Sequence, residues 1–314
     1  MGHTFANPEG YCPDDSEPNW NQSLYFNFYD PQARIGCFIR IGILENRQES
    51  NNWFVFFKDG KPLFTRSNIN LPYIRERMDK GLTIAGLTVK AIEPMKIAHL
   101  SFVDEDFKVD LTYEALQPMM DAIALTGNEG DAFAKELGNT HMEAPCRVTG
   151  TVTVEGAGEY RIDCLGIRDI SVGPRNWSAL AHFRTAWPLF LDGKTFLGSR
   201  GISIKGQNGD MRMFHDGEQW LAVKHIEETA EWAEDEMTYK KMHWKFRDQL
   251  DRDWEFTGTP IFRWFFPIGK FIMAEHMMEY RRSDGTLGYG LGEGIFRFPW
   301  AGNQTDPKLA GLPR

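Results

Sequence analysis

The chain has 314 residues, of which 42% are hydrophobic, and its 44 acidic against 35 basic side chains give a net charge of −9. This length and apolar content suffice for one large or two moderate folded domains, which excludes disorder as the main state. The acidic balance excludes nucleic acid and anionic membrane surfaces as main partners, because both attract basic proteins. The sequence shows neither a membrane-span pattern nor a signal-peptide pattern, so we expect a cytoplasmic protein.

Strands dominate the predicted elements along the chain. Trp20–Asp30 alternates between polar and apolar residues, as a half-buried strand does. Trp53–Phe57 and Pro62–Thr65 flank Asp59-Gly60, a dipeptide that tolerates the positive φ of a hairpin turn. Two further hairpins are predicted, one from Val148–Val154 and Tyr160–Ile167 and one from Met211–His215 and Trp220–Ile226. Phe107–Tyr113 and Met242–Phe246 are the other predicted strands.

Helical patterns are short and few. Leu71–Lys80 and Asp131–Leu137 could each form about two turns. Residues 114–145, which contain several Gly and Pro, are predicted to be an irregular excursion between strands.

Short strands without βαβ alternation predict an all-β fold of antiparallel barrels or sandwiches. Both halves carry the same pattern, and we place the domains at residues 1–160 and 161–314. The last stretch, Ala301–Arg314, is polar and contains two prolines, which predicts a loose tail.

Sequence motifs for metals and cofactors are missing. No HxH, HExxH or zinc-type Cys/His spacing occurs, and the four cysteines are scattered, as buried thiols usually are. No GxxxxGK[ST] or GxSxG occurs, and the glycine run Gly288–Gly294 leads into a strand-like segment rather than a helix. We therefore predict that the protein uses no metal and no cofactor.

The segment that ends at Trp177 carries the densest set of polar residues. Arg168 and Asp169 follow a predicted strand, and Gly173-Pro174 forms a rigid turn that presents Arg175. Two interpretations stay open. Asp169 either ties down a loop through an arginine, or it is a carboxyl group at a barrel mouth whose pKa is set by burial and by Arg168 or Arg175.

Aromatic residues make up 13% of the chain, and eight of the ten Trp follow residue 165. This bias fits an aromatic-rich β core, since aromatics favour strands. It equally fits an aromatic pocket for a large apolar ligand, with Trp177 and Trp187 as walls.

Four further residues are candidates. Tyr25 and Asn27 share one face of the first predicted strand, where Asn is disfavoured unless it serves a hydrogen bond. Glu293 follows closely spaced glycines, which often mark the approach of a ligand in a strand. His276 is a lone strand histidine, and both a structural and a site role remain open for it.

The early aromatic strand, the Gly-x-Arg-Asp-x-Ser-x-Gly-Pro-Arg-x-Trp segment and the late Gly-Tyr-Gly-x-x-Glu resemble the AttH/carotenoid 1,2-hydratase group across most of residues 18–298. The resemblance implies two lipocalin-like β-barrels in tandem. It also implies protonation chemistry on terpenoid-type substrates, with Asp169 at the position of the group's site aspartate. Ile170 and Val172 stand where the group often has His and Trp, so isomerisation, cyclisation or elimination is as much expected as hydration.

The sequence thus predicts a cofactor-independent lyase or isomerase for a large apolar, isoprenoid- or steroid-like substrate. Asp169 is the first choice as the acid and Glu293 the second, with Arg168 or Arg175 orienting Asp169. Trp177, Trp187 and Tyr25 would line the pocket, and Asn27 would hold a water or a substrate oxygen. A non-catalytic carrier of hydrophobic molecules and a carbohydrate-active β-sandwich are the alternatives, and homodimerisation stays open.

Overall fold

The computed structural model describes residues 7–13, 16–126, 138–176, 179–203, 206, 208–268 and 270–297. In these ranges the chain forms nineteen strands, one short α-helix, α1 (Ala122–Thr126), and one 3₁₀ turn at Glu45–Arg47. None of the described helices is long and apolar enough to cross a membrane. The predicted all-β class is confirmed. The predicted helix Asp131–Leu137 and the predicted tail Ala301–Arg314 lie outside the described residues.

The chain divides into two compact units. The first combines Met1–Asp121 with Gly138–Arg175, and the second combines Ala122–Leu137 with Asn176–Arg314. The ranges 1–160 and 161–314 expected from the sequence differ from this division, because a strand that extends to Pro174 pairs along its length within the first unit.

The first unit is an antiparallel sheet of eleven strands. Its order is β4-β3-β2-β1-β11-β10-β8-β7-β6-β5, and β9 pairs with β10 off this path. The strands are β1 (Trp20–Asp30), β2 (Ile35–Leu44), β3 (Glu49–Lys58), β4 (Lys61–Pro72), β5 (Leu82–Ile84), β6 (Leu87–Glu93), β7 (Ile97–Val103), β8 (Phe107–Ala115), β9 (Met120–Asp121), β10 (Thr140–Val154) and β11 (Gly158–Pro174).

Aromatic side chains pack against one another on the core face of this sheet. The Phe64 and Phe107 rings from β4 and β8 stack at 4.4 Å, and Phe54 from β3 meets Phe102 from β7 at 5.0 Å. The Asn52 side-chain amide on β3 donates to the Ile84 carbonyl on β5 over 2.6 Å, which links strands near the two ends of the sheet. The predicted hairpins over β3–β4 and β10–β11 are confirmed.

The helix predicted over Leu71–Lys80 is wrong. Pro72 ends β4, and the chain continues without helix to residue 80. The Arg77 guanidinium donates to the carbonyls of Ile74 and Arg75, at 2.8 and 2.6 Å, and to Gln22 Oε1. These carbonyls therefore have a partner without helical i→i+4 bonds.

The second unit contains a closed eight-stranded barrel in which each strand pairs with the next along the chain. The predicted hairpin over Met211–His215 and Trp220–Ile226 is confirmed, although only three residue pairs join its strands. The open, barrel-like sheet of the first unit and the closed barrel of the second are consistent with the expected tandem of lipocalin-like barrels. The strands are β12 (Leu180–Phe190), β13 (Thr195–Ser203), β14 (Asn208–His215), β15 (Trp220–Trp232), β16 (Tyr239–Asp248), β17 (Asp253–Ile268), β18 (Phe271–Arg282) and β19 (Leu287–Arg297).

Candidate active site

The strands β1, β11 and β10 present two chemically different faces. Tyr25, Asp169 and Glu143 are register partners across the three strands, so their side chains share one face. Phe26 and Arg168, one residue further along, point to the opposite, core face because side chains alternate along a strand. The face that carries Asp169 is called here the polar face.

A histidine lies between two carboxylates on the polar face. His141 Nε2 is 2.7 Å from Asp169 Oδ2 and 3.2 Å from Glu143 Oε1. The side chains of His141, Glu143 and Asp169 are 11%, 3% and 17% exposed, so this carboxylate–histidine cluster is largely withdrawn from water. Among the described residues, His141 Nδ1 has no hydrogen-bond partner.

The cluster can hold and share a proton. An imidazole nitrogen either donates to a carboxylate or accepts from a protonated carboxyl, and both arrangements fit the distances. This is the arrangement expected of an acid–base site.

Aromatic and amide groups continue the polar face beside the cluster. The Tyr25 ring meets the Trp53 ring edge to face with centroids 6.3 Å apart. Asn27, buried on the same strand, donates from its amide to the Tyr25 hydroxyl over 3.3 Å. The predicted common face of Tyr25 and Asn27 is confirmed, whereas Trp53 was not among the predicted site residues.

Arg175 approaches the polar face through a serine. Its Nη2 donates to Ser171 Oγ over 2.5 Å, and Ser171 Oγ lies 2.7 Å from Ser23 Oγ. Ser171 is the register partner of His141 on the neighbouring strand. Arg175 is therefore connected to the row of residues next to Asp169, on the same face.

Arg168 faces away from Asp169. Its side chain is fully buried on the core face and forms an ion pair with Glu9, which is equally buried. Glu9 Oε2 also accepts from the Met95 amide over 3.0 Å, and burial lowers the pKa of Arg168 to about 9. The expected orientation of Asp169 by Arg168 is not found, because adjacent strand residues point to opposite faces.

The other predicted site residues do not belong to the unit that carries this cluster. Trp187, His276 and Glu293 belong to the second unit. Trp187 is buried and donates from Nε1 to Thr195 Oγ1 over 3.0 Å. Trp177 lies outside the described residues.

His276 is a core histidine with both ring nitrogens engaged. Nδ1 lies 3.1 Å from the Gly292 carbonyl, and Nε2 accepts from the Tyr239 amide over 3.4 Å. Burial lowers the pKa of His276 to about 4, so the ring is neutral at pH 7. Glu293 is half-buried on β19, and its carbonyl accepts from the Tyr239 hydroxyl over 3.2 Å.

Sequence reasoning missed His141 and Glu143. Both lie in the segment 114–145 that was predicted to be irregular, yet β10 begins at Thr140. The alternation of His141 and Glu143 was the available signal. Ile170 stands where the resembled group often has a histidine, but its side chain lies in the core. The histidine beside Asp169 is His141, which comes from the neighbouring strand β10.

The cluster also has a donor set that could hold a metal ion. One ligand atom each from His141, Glu143 and Asp169 lie within 4.8 Å of one another. One imidazole and two carboxylates suit zinc or a divalent iron-type ion. The short His141–Asp169 distance of 2.7 Å is equally that of a hydrogen bond.

Comparisons with known proteins agree with this fold. The model of one family, described as Domain of unknown function (DUF7064), matches residues 11–295. No curated protein matches the sequence.

Three crystal structures share the architecture across almost the whole chain. The AttH protein of Nitrosomonas europaea has a TM-score of 0.66 at 11% identity, covering 94% of this chain and 97% of its own. Kievitone hydratase from Nectria haematococca has a TM-score of 0.63 at 11% identity, with 94% and 95% covered. CghA with Sch210972 has a TM-score of 0.61 at 11% identity, with 93% and 96% covered. The predicted AttH-type architecture is confirmed.

Proposed function

The chain belongs to the DUF7064 family, and from its site we propose a cofactor-independent lyase or isomerase that moves protons on a large apolar substrate. The observation that carries this proposal is His141 held between Asp169 and Glu143 on a face that also presents Tyr25 and Trp53. This face combines a proton donor that is largely withdrawn from water with the surface of aromatic rings.

The proton would come from the carboxylate–histidine cluster. Asp169, the most exposed of its three side chains, delivers a proton to a carbon–carbon double bond or to a substrate hydroxyl. The substrate or the attacking water then releases a proton, which His141 Nε2 passes back to Asp169. Glu143, in contact with the same Nε2, keeps the imidazole oriented and stabilises its charged form.

The rings beside the cluster would stabilise the cationic intermediate. Faces of Tyr and Trp attract cations by about 0.5–2 kcal/mol each, and more when water is excluded. Tyr25 and Trp53 lie side by side on the polar face, and the buried amide of Asn27 contacts the Tyr25 hydroxyl. Asn27 would hold a water or a substrate oxygen through its carbonyl end.

Two structural neighbours support the reaction class. One is a hydratase by name, kievitone hydratase, and the other is the structure of CghA with Sch210972. At 11% identity this support is an analogy of fold, because the same fold hosts different chemistries. We extend it to an isoprenoid- or steroid-like substrate, whose apolar body would lie against Tyr25 and Trp53.

We place the enzyme in the cytoplasm. Cys12, Cys37, Cys146 and Cys164 are all free thiols, as is usual in a reducing compartment.

The test uses an apolar extract of the source organism. The purified full-length protein is incubated with this extract in D₂O, and the products are separated and weighed by mass spectrometry. We expect a compound that gains deuterium at carbon, or gains or loses water, with the wild type. Asp169→Asn should leave the extract unchanged, and Asp163→Asn, an exposed site on the same strand, should behave as wild type.

Other outcomes would overturn the proposal. An apolar compound that is bound and recovered unchanged and unlabelled would make the protein a carrier. Saturable binding to a glycan array without any conversion of apolar compounds would favour the carbohydrate-active alternative.

A further inference from the structure

The closed barrel of the second unit contains a buried ion pair that the proposed reaction does not use. Arg184 Nη2 lies 3.0 Å from Glu228 Oε2, and the two side chains are 4% and 0% exposed. Arg184 lies two residues before core residue Ala186 on β12, and Glu228 on β15 is the register partner of core residue Trp244. Both side chains therefore point into the barrel.

The pair leaves polar atoms unsatisfied. Among the described residues, Arg184 Nη1 and Glu228 Oε1 have no hydrogen-bond partner although they are buried. Buried polar atoms in folded proteins almost always have one, because an unmade bond costs about 1–3 kcal/mol. Arg184 Nη1, a donor, and Glu228 Oε1, an acceptor, therefore each need a partner that the described residues do not supply.

The two ends of the barrel interior differ in character. At one end, aromatic residues near the ends of β12 and β14 and near the starts of β13 and β17 pack closely together. Phe196 and Phe246 are stacked there with ring centroids 4.3 Å apart. The ion pair lies further toward the other end. Lipocalin-type eight-stranded barrels are wide enough for their interior to hold one small ligand.

The charges around the pair favour an anion. Arg200 on β13 is the register partner of Arg184, so it points to the same interior, and it influences the pKa of Glu228. Asp210, opposite Arg200, is paired with Arg212 at 3.3 Å. Three arginines against Glu228 and Asp210 leave a surplus of one positive charge.

Apolar surface lies next to these charges. Trp232 and Tyr239 stack with centroids 4.3 Å apart, and Phe296 meets Trp232 at 5.8 Å. Burial raises the pKa of Tyr239, and the charges of Glu228 and Arg184 act on it in opposite directions, so the rings lie within electrostatic range of the ion pair.

We propose that the interior of the second barrel is a binding site for a small carboxylic acid with an apolar body. Its carboxylate would accept from Arg184 Nη1 and from Arg200, and its chain or ring would lie against Trp232 and Tyr239. Burial raises the pKa of Glu228, although Arg184 and Arg200 lower it, and Glu228 in its protonated form would donate to the bound carboxylate. All of these residues belong to the second unit, so the site stands whether or not the first unit is catalytic.

The test is calorimetric titration of the full-length protein with decanoate and with 4-phenylbutyrate, using their neutral amides as uncharged controls. We expect saturable binding of the acids and much weaker binding of the amides. The double variant Arg184→Met/Glu228→Met removes both charges of the pair, so neither is left buried alone. Folded proteins often tolerate such a replacement of a buried ion pair by apolar residues. The double variant should weaken acid binding by about tenfold or more, as loss of a charge-assisted hydrogen bond does.

A matched control separates this site from general charge effects. Arg147→Met/Asp163→Met removes an exposed ion pair of the first unit and should bind the acids as wild type does. Equal acid binding by the Arg184/Glu228 double variant would overturn the proposal, as would no saturable binding into the millimolar range. A crystal soaked in decanoate that shows only water on Arg184 Nη1 would overturn it as well.

Discussion

His141 Nε2 reaches Asp169 Oδ2 at 2.7 Å on a diagonal of the β10–β11 ladder, because His141 is in register with Ser171 and Asp169 with Glu143. Diagonal neighbours on one sheet face are within reach of long and aromatic side chains. The diagonal lets one imidazole contact both carboxylates. Substitution of any one of the three side chains therefore alters the surroundings of the other two.

Asp169→Asn should abolish turnover while the melting temperature stays close to that of wild type. The amide keeps the shape of the carboxyl but has no transferable acidic proton, so we expect a loss of about 10²–10⁴ in rate. The rate per folded molecule and the melting temperature are measured on one preparation. A variant that is less stable yet fully active would show that Asp169 has only a structural role on β11, where the structure places it instead of in a loop, and Glu293 would become the first choice as the acid.

His141→Gln should reduce kcat and change its pH profile. Glutamine can hydrogen-bond to Asp169 but cannot exchange protons near neutral pH, so reloading of Asp169 becomes slow. The control is His99→Gln, which removes a more exposed histidine 3.1 Å from Asp110 in the same unit. Unchanged kcat and an unchanged pH profile in His141→Gln would exclude His141 from the proton path.

Arg168→Met should destabilise the protein without lowering the rate per folded molecule. It leaves the Glu9 carboxylate buried without its counter-charge, which costs about 3–5 kcal/mol of unfolding free energy. Arg168→Met/Glu9→Gln should recover part of this loss, as urea unfolding would show. If the rate per folded molecule of Arg168→Met fell as far as that of Asp169→Asn, Arg168 would have a role in catalysis after all.

Acid should destabilise the second unit through His276. Its pKa is about 4 in the folded protein and about 6.5 when unfolded, because burial disfavours the charged ring. Below pH 6.5 the unfolded chain binds a proton that the folded protein does not, so the stabilisation is present above pH 6.5 and lost as the pH falls to 4. The loss is about 3 kcal/mol over this window.

The measurement for His276 is urea unfolding at several pH values, comparing wild type with His276→Gln. The variant should lack this part of the pH dependence. His225→Gln, at an exposed histidine, should keep it. The same slope in wild type and His276→Gln would mean that His276 does not titrate as described.

Activity should survive dialysis against EDTA. The His141–Asp169 distance is that of a hydrogen bond, and proton sharing in the cluster needs no ion. The assay is the deuterium incorporation described above, before and after chelation. Loss of incorporation that zinc restores would identify His141, Glu143 and Asp169 as metal ligands.

The sequence was sufficient where local rules decide the structure. Alternation and Xaa-Gly turns predicted the strands around Asp59-Gly60 and the common face of Tyr25 and Asn27, because a side-chain period of two is a property of any strand. It failed at Leu71–Lys80, where the guanidinium of Arg77 binds backbone carbonyls within the segment and no local pattern announces it.

Only the tertiary structure decided which residues form the site. Strand pairing set β10 beside β11 and brought His141 and Glu143 to Asp169 from 28 and 26 positions earlier in the chain. The same pairing turned Arg168 toward Glu9 in the core, although it adjoins Asp169 in sequence. A sequence lists the side chains that can share a proton, but the register of neighbouring strands determines which of them meet, since a shift of one residue moves every side chain to the other face.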